Sequence, residues 1–289
     1  MGTQGTQSHL QARPDEDVLA AFEAAKGFMP ADEGLALYAA AVGAAALGLP
    51  LLEVGTYCGR STVLLAAAAR DAGTVAVTVD HHRGSEEQQP GWEYHDPETV
   101  DPETGRMDTL PAFRRTLFAA GLEEHVVAVV GRSPRVAALW GRPLGLVFVD
   151  GGHTDEHANA DYEGWTPHLA PGGLLVIHDV FPDPADGGRA PYRIYRRALD
   201  SGGFTEISAT RSLRVLRRAT AEERTATGTE GAATDTEGAA AGAQGTAAGT
   251  EGTAAGAQEA ATGTEGTAAG TEGTAAGAQG AAAGAGRHG

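Results

Sequence analysis

The chain has 289 residues, a formal charge of −17, one cysteine and no long apolar span. A single cysteine excludes an intramolecular disulfide. An acidic chain without a basic run argues against nucleic acid and anionic membranes as partners. With no signal peptide in the sequence, we expect a soluble, cytoplasmic protein.

Residues 219–289 consist almost entirely of Ala, Gly, Thr, Glu and Gln, and the octapeptide Gly-Thr-Glu-Gly-Thr-Ala-Ala-Gly begins at positions 249, 263 and 270. Without aromatic residues, Leu, Ile or Val, this segment cannot bury enough apolar surface to offset the entropy of ordering. We predict a disordered tail over 219–289, a disordered N-terminus over 1–14, and one globular domain over 15–218. The tail holds nine acids and two arginines, which leaves −10 for the rest of the chain.

The domain begins with two predicted helices, over 15–26 and 32–47. Strands and helices then alternate, and the short, continuously apolar strands are typical of parallel strands covered on both faces. The predicted strands span 51–54, 74–79, 125–130, 146–149 and 174–177, with helices over 61–71, 110–120, 134–140, 155–165 and 192–201. A hairpin over 204–208 and 213–216 follows. This order predicts an α/β fold: a doubly wound, Rossmann-like, mostly parallel seven-stranded sheet with an antiparallel C-terminal strand.

A glycine turn joins the first strand to its helix, with the sequence Glu-Val-Gly-Thr-Tyr-Cys-Gly-Arg-Ser-Thr over 53–62. Such a turn presents backbone N–H groups and a helix N-terminus to a polar or anionic ligand. Asp80 ends the second strand, at the spacing from which a carboxylate reaches ribose hydroxyls. Tyr57 stands where the dinucleotide fingerprint requires a second glycine, which disfavours a pyrophosphate. The turn therefore indicates a nucleoside cofactor other than a dinucleotide.

Two further motifs follow later strands: Asp150-Gly151-Gly152-His153, and Pro171-Gly172-Gly173 leading to His178-Asp179. With the glycine turn and Asp80, they make residues 32–217 resemble the class I S-adenosylmethionine-dependent methyltransferases. Within that class the chain is similar to the branch of macrocin-type O-methyltransferases and cephalosporin-hydroxylase-like proteins.

The resemblance implies a binding site for S-adenosylmethionine along the strand ends. Asp80 is expected to bind the ribose, and Arg132 and Ser133 to face the adenine, although Ser133 followed by Pro134 also fits a helix start. Asp150 is expected to bind the cofactor amine, to cap the following helix, or to bind a metal. The residues expected around the methionine part are Glu53, Gly55, Thr56, Tyr57, Gly59 and Ser61.

Two carboxylates, Asp150 and Asp179, end neighbouring predicted strands and would repel each other without a cation. We predict a metal site formed by Asp150, His178 and Asp179. The expected ion is Mg²⁺, or Mn²⁺ or Fe²⁺ because His178 replaces one of a pair of acids that related enzymes tend to carry. The resemblance implies that His153 is the general base. Alternatively, His178 only supports its neighbours.

The polar insertion over 81–108 is too long for an ordinary connection between a strand and a helix. We predict a substrate lid in which Trp92 and Tyr94 stack on an acceptor ring; a dimer contact or a solvated loop are the alternatives. The expected function is O-methylation of a small hydroxylated metabolite, assisted by a divalent metal. A metal-dependent hydroxylase-like enzyme and a non-catalytic cofactor-binding module are the alternatives. A homo-oligomer stays open.

Overall fold

The computed structural model describes residues 12–224, in which helices flank both faces of one seven-stranded sheet. The strands are β1 (Leu51–Val54), β2 (Ala76–Asp80), β3 (Val126–Val130), β4 (Leu144–Val149), β5 (Leu169–Ile177), β6 (Phe204–Thr210) and β7 (Leu213–Arg218). The helices are α1 (Glu16–Ala24), α2 (Ala31–Ala45), α3 (Arg60–Asp71), α4 (Leu110–Ala120), α5 (Ser133–Ala137), α6 (Asp155–Trp165) and α7 (Ala190–Asp200).

The strands follow the order β3-β2-β1-β4-β5-β7-β6. The first five in sequence pair in parallel, while β7 pairs antiparallel with both β5 and β6. The predicted fold class is therefore confirmed. The strand order reverses between β1 and β4, and in such sheets ligands bind at this switch point, outside the carboxyl ends of the strands.

Strand β5 begins earlier than the sequence predicts. Leu169 already pairs with Leu144, and the regular register resumes at Leu174, opposite Leu146. The turn Pro171-Gly172-Gly173 is thus an irregularity within the strand, with Gly172 at φ +79°. Glycine adopts this left-handed backbone without the steric cost that a side chain would bring.

Local capping sets the starts of several helices. The Asp15 side chain accepts a hydrogen bond from Val18 N at 2.8 Å at the start of α1, and Thr154 Oγ1 accepts one from His157 N at 3.2 Å at the start of α6. These bonds satisfy N–H groups that the first turn of a helix leaves unpaired. Helix α3 instead follows Gly59, whose φ is +91°.

The apolar core lies on both faces of the sheet. One cluster joins α1, α2 and α3 to the sheet, around Phe22, Leu37 and Leu64. The other joins α6 and α7 to the opposite face, around Trp165 and Ile194. Because both faces are covered, the strands β1 and β4 are buried along their whole length, and Glu53 is the one charged residue in them.

The predicted N-terminal segment over 1–14 and the predicted tail over 219–289 lie almost entirely outside the described residues. The described chain continues past 218 to 224, with Ala219 N donating to Gly203 O at 2.9 Å and Arg217 pairing with Glu223 at 2.7 Å. Between residues 12 and 224, none of the helices combines the length and the hydropathy needed to cross a membrane.

Candidate functional site

A cavity of about 1310 Å³ opens at the carboxyl ends of β1, β2, β3, β4 and β5. Its wall includes the glycine turn, the residues that follow each of these strands, part of the 81–108 insertion, and the linker between α1 and α2. Pockets for drug-sized ligands typically measure roughly 300–1,000 Å³. The cavity therefore has room for a nucleoside cofactor and a second small molecule.

Gly55 brings the glycine turn into close contact with the end of β4. Its φ is +88°, and a Cβ at this position would lie 2.1 Å from the carbonyl oxygen of Asp150. Only glycine fits this approach. Asp80 holds the other side of the turn, because its Oδ2 accepts hydrogen bonds from Thr56 N at 2.9 Å and Tyr57 N at 3.0 Å.

Asp80 also accepts a hydrogen bond from His82 N, at 2.7 Å through Oδ1. Asp80, the residue predicted to bind ribose, therefore links β2 to the glycine turn and to the insertion through hydrogen bonds. A carboxylate has about four acceptor positions, so these three bonds leave one for a ligand hydroxyl. Asp80 lines the cavity, and ribose binding stays a prediction.

Glu53 and Gly59 do not line the cavity, and their contact with the methionine part stays a prediction. Glu53 is fully buried under the turn and accepts hydrogen bonds from Ser61 Oγ at 2.5 Å and Thr62 Oγ1 at 2.6 Å. Burial, with Asp150 and Asp80 nearby, raises the pKa of Glu53 to about 8. Gly59 precedes α3, and a Cβ there would lie 2.9 Å from the Phe113 ring. Both residues support the glycine turn on the side that faces away from the cavity.

Thr56 carries an unpaired polar group at the cavity wall. The residue is 2% exposed, and Oγ1 has no hydrogen-bond partner among the described residues. An unpaired buried hydroxyl costs roughly 1–3 kcal/mol. A ligand that bonds to Thr56 would remove this cost, so the turn fits a polar cofactor.

The turn after β3 forms the far wall of the cavity. Arg132 and Ser133 both line it, as the adenine prediction requires. Ser133 is the first residue of α5, and its Oγ accepts a hydrogen bond from Trp165 Nε1 at 2.8 Å. Asp161, which the sequence analysis does not identify, also lines the cavity; burial raises the pKa of Asp161 to about 6.

Asp150, His153 and Asp179 come together at the ends of β4 and β5. Each offers one ligand atom, and these atoms all lie within 4.8 Å of one another. Asp179 has φ +54°, a backbone conformation that asparagine and aspartate tolerate better than most residues. Two carboxylates and one imidazole form a donor set that suits a divalent cation such as Mg²⁺ or Mn²⁺.

His153 lies between this cluster and the insertion. Its Nε2 is 3.1 Å from Asp179 Oδ2, and its Nδ1 is 3.1 Å from Glu87 Oε2. Burial alone would lower the pKa of His153, but the hydrogen bond and charge of Asp179, together with Asp150 and Glu87, raise it to about 9. In the ligand-free protein His153 therefore carries a proton at neutral pH.

His178, a predicted metal ligand, is not part of the cluster. Its Nδ1 lies 3.0 Å from Asp150 Oδ1 and its Nε2 lies 2.8 Å from Glu33 Oε2, so both ring nitrogens already have carboxylate partners. The ring is buried, which by itself would lower its pKa; Asp150, Asp179 and Glu33 instead raise the pKa of His178 far above its usual value. The group of possible metal ligands in the structure thus contains His153 and not His178, and the role of His178 as a ligand stays a prediction.

Glu33 is the main residue that sequence reasoning missed. It is buried on α2, and its Oε1 accepts hydrogen bonds from both the N–H and the hydroxyl of Ser212, each at 2.7 Å. Burial would raise the pKa of Glu33, but His178 and Ser212 lower it. The hydrogen bonds that join Ser212, Glu33 and His178 in series fix Asp150 at the carboxyl end of β4.

The insertion closes over the cavity through polar and aromatic contacts. Lys26, the only lysine in the chain, pairs with Asp96 at 2.6 Å and Glu98 at 2.5 Å. Tyr57 OH donates to Asp96 Oδ2 at 3.2 Å. The Phe28 ring packs at a tilt against Tyr57 and edge-to-face against Tyr94, with ring centroids 5.4 and 5.5 Å apart. The insertion is therefore ordered against the cavity mouth.

Comparison with known proteins agrees with this geometry. Residues 52–180 match a protein family described as "Methyltransferase domain". A 65-residue segment, 20% of this chain, is 35% identical to demethylmacrocin O-methyltransferase from Streptomyces fradiae and spans only 16% of that enzyme. Residues 52–180 therefore resemble a methyltransferase domain of the class I S-adenosylmethionine-dependent type. The resemblance seen in the sequence is confirmed.

Solved structures share the fold of this chain. Cofactor-bound Rv0187 from MTB superimposes with a TM-score of 0.50 at 20% identity, over 75% of this chain and 95% of that one. The O-methyltransferase NovP gives a TM-score of 0.50 at 16% identity, over 65% of this chain and 80% of that one. The range 52–180 contains every residue predicted for the site, whereas Lys26, Glu33 and Ser212 lie outside it.

Proposed function

We propose that this methyltransferase domain transfers the methyl group of S-adenosylmethionine to a hydroxyl of a small metabolite, with a divalent cation held by Asp150 and Asp179. The observation that carries the proposal is that one cavity contains both the glycine turn and the cluster of Asp150, His153 and Asp179. A donor site and an acceptor site thus share one space.

The cofactor would occupy the turn side of the cavity. Gly55 admits close approach, Thr56 offers its unpaired hydroxyl, and Asp80 has an acceptor position left for a ribose hydroxyl. Arg132 and Ser133 form the wall expected to face adenine. When bound, S-adenosylmethionine supplies the electrophilic methyl group, and the cation supplies positive charge that lowers the pKa of an acceptor hydroxyl.

His153 is the group proposed to take the acceptor proton. Its Nδ1 is fixed by Glu87, which leaves Nε2 facing Asp179 and the cavity. The hydrogen bond and charge of Asp179 raise the pKa of His153 and keep its imidazole protonated in the ligand-free protein. His153 can therefore accept a proton only when Asp179 binds another partner, such as a cation. If Nε2 instead binds the cation itself, His153 cannot serve as the base.

The insertion is proposed to act as the acceptor lid. Trp92 and Tyr94 are the exposed aromatic side chains of the insertion, and Glu87 reaches the cluster from the same segment. The ring of the acceptor would pack against Tyr94 or Trp92 while one of its hydroxyls reaches His153. These contacts favour a cyclic, hydroxylated metabolite as the acceptor.

The hydroxylase-like alternative requires His178, Asp179 and Asp150 as ligands. The carboxylate contacts at both nitrogens of His178 give that reading no support. The non-catalytic alternative predicts cofactor binding without turnover, and the experiments below distinguish it.

Titration calorimetry with S-adenosylmethionine and with Mg²⁺ or Mn²⁺ tests the proposal, together with product detection over a panel of small polyhydroxylated compounds. We expect cofactor binding, cation binding, and methyl transfer that a chelator suppresses. Absence of cofactor binding would refute the proposal. Cofactor binding with no turnover over the panel, in the presence of cation, would favour the non-catalytic module.

His153→Asn separates the two roles of the imidazole. As the base, its loss should leave cofactor and cation affinity within about threefold of wild type and lower the turnover at least about hundredfold. If cation affinity falls instead, His153 is a ligand. His168→Asn, at a histidine outside the cavity wall, is the matched control.

Trp92→Ala and Tyr94→Ala test the lid. Both should raise KM for the acceptor and spare cofactor affinity, while Phe118→Ala, at an exposed aromatic residue outside the cavity wall, should change neither. Unchanged acceptor kinetics in both lid variants would show that the insertion is not a lid.

A further inference from the structure

Strand β3 forms one edge of the sheet, and no strand among residues 12–224 covers its outer side. Its sequence, Val-Val-Ala-Val-Val, contains no charge, no proline and no register shift. Val127 and Val130 are 50% and 58% exposed. Natural sheets protect open edges with charged residues, proline or bulges, so a bare apolar edge marks a place where another strand can pair.

The opposite edge of the sheet has the usual protection. Strand β6 carries Thr205, Glu206 and Ser208, and its pairing with β7 shifts register between Glu206 and Ser208. The contrast shows that exposure of apolar residues is a property of β3 and not of both edges.

The free main-chain groups of β3 are arranged symmetrically. Gly131 N donates to Asp80 O at 3.0 Å, so the alternate residues Val126, Ala128 and Val130 direct their N–H and C=O groups away from β2. The N–H of Val126 is already bonded to Glu123 O. The free groups of Ala128 and Val130 and the carbonyl of Val126 remain for a partner.

A second copy of the chain fits this pattern when it runs antiparallel with the two-fold axis at Ala128. Ala128 would then exchange both of its hydrogen bonds with the partner's Ala128. The N–H of Val130 would donate to the carbonyl of the partner's Val126, and the reverse bond follows by symmetry. Every outward N–H that is free on β3 finds an acceptor in this register.

Charge and apolar surface favour the same arrangement. Glu124 precedes β3 and Arg132 follows it, and both are exposed. In the two-fold register the turn before β3, which carries Glu124, meets the segment that carries the partner's Arg132, and this meeting occurs twice. The two most exposed large apolar side chains among the described residues also flank β3 in the sequence: Phe118, 74% exposed, precedes it and Leu139, 88% exposed, follows it.

We propose that this chain forms a two-fold dimer in which β3 pairs antiparallel with β3 of a second copy, so that one sheet continues through both chains. The partner's Glu124 then lies against Arg132, a residue of the cavity wall. The proposal is independent of the reaction that the domain catalyses.

Sedimentation equilibrium of the full chain tests this interface. Wild type should sediment at twice the chain mass of 29.4 kDa. Ala128→Lys places two like charges opposite each other at the axis and should weaken dimerisation at least about tenfold. Ala128→Thr, without charge, and Leu47→Lys, at an exposed apolar residue elsewhere, should remain dimeric with unchanged melting temperatures.

A cross-link at the axis tests the register. Ala128→Cys should be joined to its copy by a short bismaleimide, because the chain's own Cys58 is buried. Leu47→Cys should not be joined. Should Ala128→Lys fail to fold, Glu124→Arg serves as the second variant and should weaken the dimer by opposing Arg132. A monomeric wild type up to about 100 µM, or a dimer without the Ala128→Cys cross-link, would overturn the proposal.

Discussion

Replacing Glu53 by glutamine should stabilise this protein increasingly as the pH rises. Glu53 is fully buried beneath the glycine turn, with Ser61 and Thr62 donating to its two oxygens. Ionisation of this carboxyl group in the folded protein costs the free energy of burying a charge. Glutamine keeps the shape and cannot ionise, and the two hydroxyls can rotate to satisfy its amide.

The size of the effect follows from the pKa of Glu53, which is about 8 in the folded protein against an ordinary value of 4.5. Below pH 4.5 both states of the chain hold the proton, and the group causes no loss. As the pH rises towards 8, only the unfolded chain ionises. At about 1.36 kcal/mol for each pH unit between the two values, wild type loses about 5 kcal/mol that Glu53→Gln retains.

Urea denaturation at pH 5.0, 6.5 and 8.0, followed by tryptophan fluorescence, measures this difference. The free energy of unfolding of Glu53→Gln relative to wild type should increase at each step, whereas Glu103→Gln, at an exposed position in the insertion, should show a constant difference. A constant difference for Glu53→Gln would refute the argument from burial.

The same variant tests the position of Glu53 relative to the cofactor. Because Glu53 does not line the cavity, Glu53→Gln should bind S-adenosylmethionine within about threefold of wild type (a difference below roughly 0.7 kcal/mol). A folded variant that loses affinity more than about tenfold would support the sequence prediction that Glu53 contacts the methionine part.

Three further changes have definite expected outcomes. Glu33→Ala removes the partner of His178 Nε2 and of the Ser212 N–H and hydroxyl, and should lower the free energy of unfolding by about 3–5 kcal/mol in urea titrations. A loss below about 1 kcal/mol would contradict the buried network. Gly55→Ala should cost about 2–4 kcal/mol and abolish cofactor binding in calorimetry. Gly73→Ala, with φ +67° but open space, should bind normally, and equal affinity in both variants would exclude the close approach. Lys26→Met should speed amide hydrogen exchange over residues 85–99 and change the free energy of unfolding by less than about 1 kcal/mol. The control Arg70→Met should leave that exchange unchanged. Unaltered exchange in Lys26→Met would show that other contacts hold the insertion.

The protonation of the acidic cluster links the proposed chemistry to the fold. Burial would lower the pKa of His153, but the hydrogen bond and the charge of Asp179 raise it to about 9. Asp179 in turn has a lowered pKa because both histidines face it. The ligand-free site thus stores a proton on the imidazole, and its release depends on what else the Asp179 carboxylate binds.

Sequence alone was sufficient for the sheet and for the positions of the strand-end residues. Alternating short apolar runs and helical segments specify a parallel sheet, and a residue that follows such a run must lie at the carboxyl edge. Asp80, Asp150 and Asp179 were located in this way. Close approach at Gly55 was also signalled, because glycine in a turn after a strand indicates either a positive φ or tight packing.

Only the tertiary structure decided which side chains face one another. Glu33 meets His178 across 145 residues of chain and Ser212 across 179, and no local pattern distinguishes a buried acid on a helix from a solvated one. His178 and Asp179 both follow the end of β5, and only packing shows that His178 Nε2 meets Glu33 while Asp179 Oδ2 meets His153. The Glu53 side chain lies beneath the glycine turn, where the hydroxyls of Ser61 and Thr62 donate hydrogen bonds to it. The sequence determined where the groups lie along the sheet, and packing determined which of them meet.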